Sequence, residues 1–342
     1  MNKLIARRIS AALVALSLSS VALIGCASGP VESEFDSPRP WADGSSSGSY
    51  EKLDYAVTVY DETNGTEEGD RVAIADGKLT FKIDMLPLIV NEYTKFGTEL
   101  SYTFRDNAGA DAGLTDRMTS YVEFTTESLY ANIMNKTVLL ADREGTDNLS
   151  YTVTADYMTE RKATYQALDG NGEPKKVQNA DGELVENKRE IDLPSNARRD
   201  NEMMFMLARA QKIAPESATT FLATNVFETF ARNEFTEFSM RVQTGKDTVT
   251  MYPGEWVKDF GVEAVTDDSG NTSYPVACFT TSIGINDTHA GPPYTVLFTQ
   301  NPFVSGGKSH SKIPLRIGYR QYKQGKAYRY TEYMLTGCSF TK

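Results

Sequence analysis

From Tyr50 onward, apolar residues recur at every second position, and this period limits the possible folds more than any other feature of the chain. Leu79, Phe81, Ile83 and Met85 alternate with Thr80, Lys82 and Asp84, and Leu100, Tyr102 and Phe104 with Ser101, Thr103 and Arg105. Tyr151, Val153, Ala155 and Tyr157 repeat the pattern, as do Phe238, Met240 and Val242, and later Ile313, Leu315, Ile317 and Tyr319. Successive side chains of a strand point to opposite faces, so this alternation predicts antiparallel sheet covered on one face and wet on the other. Asn64-Gly65, Asp76-Gly77, Asp169-Gly170, Asp181-Gly182 and Ser269-Gly270 stand between the runs as turn signals. The 18 Tyr and 16 Phe residues suit a pleated, half-buried surface.

One helix interrupts the pattern. Asp200 can cap it, Pro215 can end it, and Met203, Met206, Leu207, Ala210 and Ile213 fall at helical spacing. Ser217–Phe230 also permits a helix, but its Thr, Phe and Val content favours a strand there, and the polar stretch Leu168–Ile191 reads as a long exposed hairpin. The expected fold is mainly β (α+β): a large curved antiparallel sheet, half-barrel-like, packed on one long helix. Residues 50–342 form one β-rich domain, with Pro194 as the place where it would divide if it did.

The helix Asp200-Asn201-Glu202-Met203-Met204-Phe205-Met206-Leu207-Ala208-Arg209 is followed by Phe238–Val242, Thr244–Val249 and a late strand at Lys312–Arg316. This order resembles the uncharacterised exported half-barrel proteins of bacteria. More loosely it is similar to the lipoprotein-carrier fold, in which a curved sheet cradles acyl chains. The resemblance implies a fold and brings no functional residues with it.

The amino terminus is a different kind of segment. Lys3, Arg7 and Arg8 precede an apolar run, Ile9–Ile24, that closes on Leu23-Ile24-Gly25-Cys26. A basic start, a short apolar stretch and small residues before a cleavage point predict an export signal over 1–25. Leu-Ile-Gly-Cys resembles the lipobox of bacterial lipoproteins. That resemblance implies cleavage between Gly25 and Cys26, acylation of the Cys26 thiol, and a membrane as partner on the extracytoplasmic side. Residues 26–49 are acidic and rich in Pro and Ser, so they read as a flexible tether. Trp41 within it is either an interfacial anchor or a residue packing back on the domain. Removal of the signal leaves 32 basic against 46 acidic groups, a net charge of −14 where the whole chain has −11. Such acidity argues against nucleic acid as a partner, since its phosphates would be repelled.

Chemistry-bearing motifs are sparse. His289 and His310, the only histidines, lie in loops rich in Gly, Pro and Ser and are expected to be exposed. Two isolated histidines without a Cys-x-x-Cys pair leave too few ligands for zinc, so no metal and no cofactor is predicted. Gly306-Gly307-Lys308-Ser309 imitates the end of a phosphate loop, but Pro302 occupies the position of its first glycine. Asp169-Gly170-Asn171-Gly172-Glu173 resembles a calcium loop but has Pro174 at its sixth position and Ala180 at its twelfth, and a turn is expected instead. Cys278 and Cys338 permit one disulfide, the alternative being two free thiols.

Two ligand-binding readings follow. Met203, Met206, Leu207 and Ala210 either line an apolar pocket between helix and sheet or fill the core there. Trp256, Tyr252, Tyr294, Tyr319, Tyr322, Tyr328 and Tyr330 either form a stacking surface for a glycan or pair across strands. The expected function is a lipid-anchored, non-enzymatic binding module of the cell envelope, with an apolar or glycan ligand. The alternative is a cell-wall or glycan-active hydrolase, whose pair of carboxylates cannot be chosen among so many acids.

Overall fold

The computed structural model of the protein describes residues 49–86, 93–106, 108–126, 128–141, 150–210, 218–224, 237–254, 257–258, 261–285, 294–305 and 307–341. The export signal, Gly25, Cys26, the tether with Trp41, and also Trp256 and His289 lie outside the described residues.

The alternating segments are strands. The first half holds β1 (Ser49–Asp61), β2 (Val72–Met85), β3 (Tyr93–Arg105), β4 (Asp111–Thr125), β5 (Ala131–Leu139), β6 (Tyr151–Asp156) and β7 (Lys162–Ala167). A small hairpin, β8 (Lys176–Gln178) and β9 (Leu184–Glu186), precedes β10 (Lys188–Asp192). A 3-10 turn, Asn201–Met203, runs into α1 (Met204–Ala210). The second half holds β11 (Ala218–Thr224), β12 (Glu237–Tyr252), β13 (Val265–Thr266), β14 (Thr272–Ile285) and β15 (Tyr294–Thr299). A second hairpin, β16 (Phe303–Ser305) and β17 (Lys308–His310), leads to β18 (Pro314–Lys323) and β19 (Lys326–Ser339).

Fourteen of these strands form one open antiparallel sheet in the order β10-β7-β6-β5-β4-β3-β2-β1-β19-β18-β15-β14-β12-β11, and β13 pairs with β14 at its side. The order explains the role of the helical segment. The chain starts mid-sheet at β1, meanders outward to one edge at β10, crosses to the opposite edge at β11, and meanders back until β19 pairs with β1. The crossing passes over one face of the sheet. On that inner face lie Leu53, Tyr55 and Val57 of β1, and Phe81 and Ile83 of β2, all buried with Met203, Met206 and Leu207 in a single core cluster.

The sheet curves around the crossing. The Phe205 ring lies 5.4 Å from that of Phe81 on β2 and 5.9 Å from that of Tyr294 on β15, so those two rings are at most about 11 Å apart. Four ladder steps separate β2 from β15, and a flat sheet would place them roughly 19 Å apart. Only a sheet concave toward the helix brings both rings to one side chain.

Among the described residues the helix is short, and packing of the sheet on a long one is not supported. Asp200 caps the segment as expected, its side chain accepting from the Glu202 N–H. The α-helix spans only the seven residues Met204–Ala210, and residues 211–217, including Pro215, lie outside the described part. A sheet that curves over the segment reaches it from several strands, so even a short helix is buried among them. In the Ser217–Phe230 stretch, the described portion, Ala218–Thr224, is strand.

One glycine in the sheet is dictated by close approach. A Cβ on Gly77 in β2 would lie 1.9 Å from the Ser101 carbonyl oxygen and 2.5 Å from the Tyr102 Cα on β3. No other residue fits there without the two strands parting.

Candidate functional site

Two buried polar clusters pin the crossing segment, one at each end. At the carboxyl end Arg209, the last but one residue of α1, is 1% exposed and Glu51 of β1 is fully buried. Arg209 Nη1 donates to Glu51 Oε2 at 2.8 Å, while Nη2 lies 3.3 Å from Oε1 and donates to the Ser311 carbonyl at 2.8 Å. His310 joins them, with Nδ1 2.9 Å from Glu51 Oε1. This overturns the expectation of an exposed loop histidine. Residues around His310 form the β16–β17 hairpin, which lies against the end of β19, where the Phe340 ring packs 4.1 Å from the imidazole. Burial pushes the Glu51 carboxyl up, but the Arg209 charge and the hydrogen bonds from His310 and Arg209 outweigh it and hold it below the usual range. His310 Nε2 and Arg209 Nε are buried without a hydrogen-bond partner among the described residues.

At the amino end, Asp200 is 2% exposed. Tyr157 Oη donates to its Oδ2 at 2.5 Å, and the Glu202 backbone N–H donates to its Oδ1 at 2.8 Å. Lys136 of β5 donates to Glu202 Oε1 at 2.5 Å. Burial, with the nearby Glu202 carboxylate, raises the Asp200 pKa to about 6 against the pull of Tyr157, the Glu202 N–H and Lys136. Burial lowers the Lys136 ammonium, yet Glu202 reverses this and holds it above its ordinary value. Burial and the Asp200 charge push the Tyr157 hydroxyl well above its usual range.

Between the two pins Met203, Met206, Leu207 and Ala210 face the sheet and are buried in its core, at 1% exposure or less. Beyond the helix, the inner face keeps a rim of half-buried side chains: Leu100, Val138, Tyr165, Tyr333 and the Phe205 ring itself. Tyr294 and Tyr319 stack here at 4.4 Å, and Tyr151 stacks on Tyr165 at 5.6 Å. Apolar bodies with hydroxyls at their ends, beside a half-buried Lys–Glu pair, form a surface suited to an amphipathic ligand.

No family model matches the chain, and no curated protein matches it. Among solved structures it is similar to a β-barrel-like protein of domain of unknown function DUF1849 from Brucella abortus, at 10% identity and a TM-score of 0.46, over 86% of this chain and 99% of that one. It is also similar to MucB in complex with MucA(peri), at 11% identity and a TM-score of 0.13, over 84% of this chain and 88% of that one.

The other sequence candidates are dispersed. The expected aromatic surface splits: Tyr252 is buried with its hydroxyl donating to the Leu335 carbonyl, and Tyr294 and Tyr319 lie on the inner face. Tyr330 lies out of phase with the inward Thr331, Tyr333 and Leu335 of β19, on the outer face, where the Arg71 and Arg320 guanidiniums sit 4.4 and 5.2 Å from its ring centre. Asp169 forms a turn by accepting from the Asn171 and Glu173 N–H groups. Lys308 and Ser309 belong to the β16–β17 hairpin. Cys278 and Cys338 are not joined in a disulfide, and β18 and β15 lie between their strands.

A surface depression of about 220 Å³ on the outer side of β5–β7 holds Asp156, Glu160 and Glu190. Asp156 accepts from the Met158 and Thr159 N–H groups and lies below the usual range, because those backbone bonds outweigh its burial. Glu190 is lowered too, by the side-chain hydrogen bond and charge of Lys188. A glycosidase acid requires a raised pKa, the opposite of what these two carboxyls have.

Proposed function

We propose that this chain is an exported, lipid-anchored, non-enzymatic binding module of the cell envelope, and that it holds a ligand with an apolar body against the inner face of its sheet. The observation that carries the reading is the half-buried rim of Leu100, Val138, Tyr165, Phe205 and Tyr333, packed against the core of the inner face. These side chains share the face that bears the helix, and that face is concave. Cys26, behind the Leu23-Ile24-Gly25 run, supplies the anchor, and residues 26–49 hold the domain off the bilayer.

The test uses a fluorescent polyene fatty acid as probe, with native mass spectrometry of protein taken from its host in mild detergent. The intact protein should bind the probe, and a Leu100→Arg variant should bind it at least tenfold more weakly at unchanged thermal midpoint. Absence of both a retained ligand and probe binding in the wild-type protein refutes the reading. Anchoring is tested separately: Cys26→Ala should move the protein from the membrane to the soluble fraction, and its persistence in membranes refutes the anchor.

A further inference from the structure

The clusters that pin the crossing segment differ in charge balance. At the Arg209 end, one carboxylate meets one guanidinium. At the Asp200 end, two carboxylates two residues apart, Asp200 and Glu202, share the single ammonium of Lys136, which is committed to Glu202. Asp200 is left with neutral donors only, the Tyr157 hydroxyl and a backbone N–H.

We propose that Asp200 is a proton-operated latch for the segment that crosses the inner face: protonated, it holds Asn201–Ala210 down on the sheet, and ionised, it loosens them.

The groups around it account for the direction. From the crossing segment comes Glu202, a like charge. From β5 comes Lys136, and from β6 with the residue after it come Tyr151 and Tyr157. The end of β4 beside it turns Ser120, Val122 and Phe124 inward, and the inward acid of that strand, Asp116, lies eight residues from Phe124 along it. Arg161 is the remaining cation sensed at Tyr157, and its Nη atoms donate to the carbonyls of Tyr157, Pro194 and Ala197. Arg198 and Arg199 lie 5.1 and 5.2 Å from the Tyr130 ring centre. Ionisation therefore places a second negative charge in a buried site whose nearest cation is already paired. Opening the segment hydrates that charge, so the open form is favoured where Asp200 is ionised.

The carboxyl titrates at about 6 when the segment is closed, and at its ordinary 3.8 when open to water. A difference of about two units corresponds to a roughly 60-fold change in the opening equilibrium between pH 4 and pH 7. In combination with the proposed function, the latch makes the ligand face tight in acid and accessible near neutrality. The latch itself depends on that reading only for what it governs.

Amide hydrogen exchange of the intact protein, read by mass spectrometry on peptides covering 201–210 and corrected for the intrinsic pH dependence, tests it without any ligand. Protection should fall by one to two orders of magnitude from pH 4.5 to 7, while peptides of β1–β3 stay constant. Asp200→Asn keeps the cap and removes the charge, so it should stay protected at pH 7 with no slope. Tyr157→Phe removes a donor to the ionised carboxyl and should move the midpoint to higher pH, which a merely structural contact would not do. A flat profile in the wild-type protein, or an unchanged slope in Asp200→Asn, overturns the proposal. Probe binding at both pH values is a separate arm: exchange that follows pH with no probe bound at either pH upholds the latch and refutes the ligand reading.

Discussion

Replacing Glu51 by Gln tests whether the buried Glu51–Arg209–His310 cluster holds the crossing segment. Glu51 receives both terminal nitrogens of Arg209, at 2.8 and 3.3 Å, and His310 Nδ1 at 2.9 Å, with neither Glu51 nor Arg209 more than 1% exposed. Glutamine keeps the shape but replaces one acceptor oxygen with an NH2 group that faces other donors. Arg209 is then a buried cation left with neutral acceptors only, the one amide oxygen of the glutamine and the Ser311 carbonyl. Breaking a buried pair from one side costs about 3–5 kcal/mol, because the stranded charge is not rehydrated. In a domain of this size each kcal/mol corresponds to about 2–4 °C, so the thermal midpoint should fall by roughly 10 °C. The double variant Glu51→Met with Arg209→Met removes both charges and leaves His310 Nδ1 and the carbonyl of the half-buried Ser311 without that partner, the buried imidazole nitrogen costing about 1–3 kcal/mol. It should therefore be more stable than Glu51→Gln alone. Calorimetry and urea titration of the three proteins decide the matter. A loss below about 1 kcal/mol in Glu51→Gln, or a double variant less stable than the single one, would refute the reasoning.

Further predictions concern close packing and thiol chemistry. Gly77→Ala should cost about 3 kcal/mol or more in urea unfolding, since its Cβ would meet the Ser101 backbone oxygen at 1.9 Å and the obstacle cannot rotate away. Gly318→Ala should cost less than half of that, because the atom it meets, at 2.5 Å, is the hydroxyl at the far end of the Tyr330 ring. Equal losses would show that the β2–β3 contact is not the tight one. Cys278 is fully buried and its burial pushes the thiol up to about 11, so iodoacetamide at pH 8 should label Cys338 first and Cys278 only on unfolding. Peptide mapping that finds Cys278 alkylated in the folded protein would contradict its placement.

The strands were legible because each records its own burial in a period of two, and Asp200 was legible as a cap because the signal is local. Helix length was not. The spacing from Met203 to Ile213 suits a longer helix, yet seven residues are helical within the described part, since the curved sheet rather than the segment's own turns supplies the contacts. The pinning clusters were missed for a related reason: Glu51 and Arg209 are 158 residues apart, Glu51 and His310 259 apart. No local pattern links such residues; only the strand order that brings β1, α1 and β17 together does so. A trace was nevertheless present. Glu51 stands in phase with the inward Leu53, Tyr55 and Val57, and Lys136 with Met134 and Val138. Arg209 lies in an otherwise apolar helix. A charge in phase with a core must be paired, so each of these residues announces a partner without naming it. Each names it only when the fold is known: Lys136 and Arg209 both belong to the pins of one seven-residue helix, and Glu51 is the acid that Arg209 requires. Asp200 differs from them as a buried acid whose hydrogen-bond donors are neutral, so its hold weakens as pH rises toward neutrality, whereas Glu51, held low by Arg209, responds only in acid.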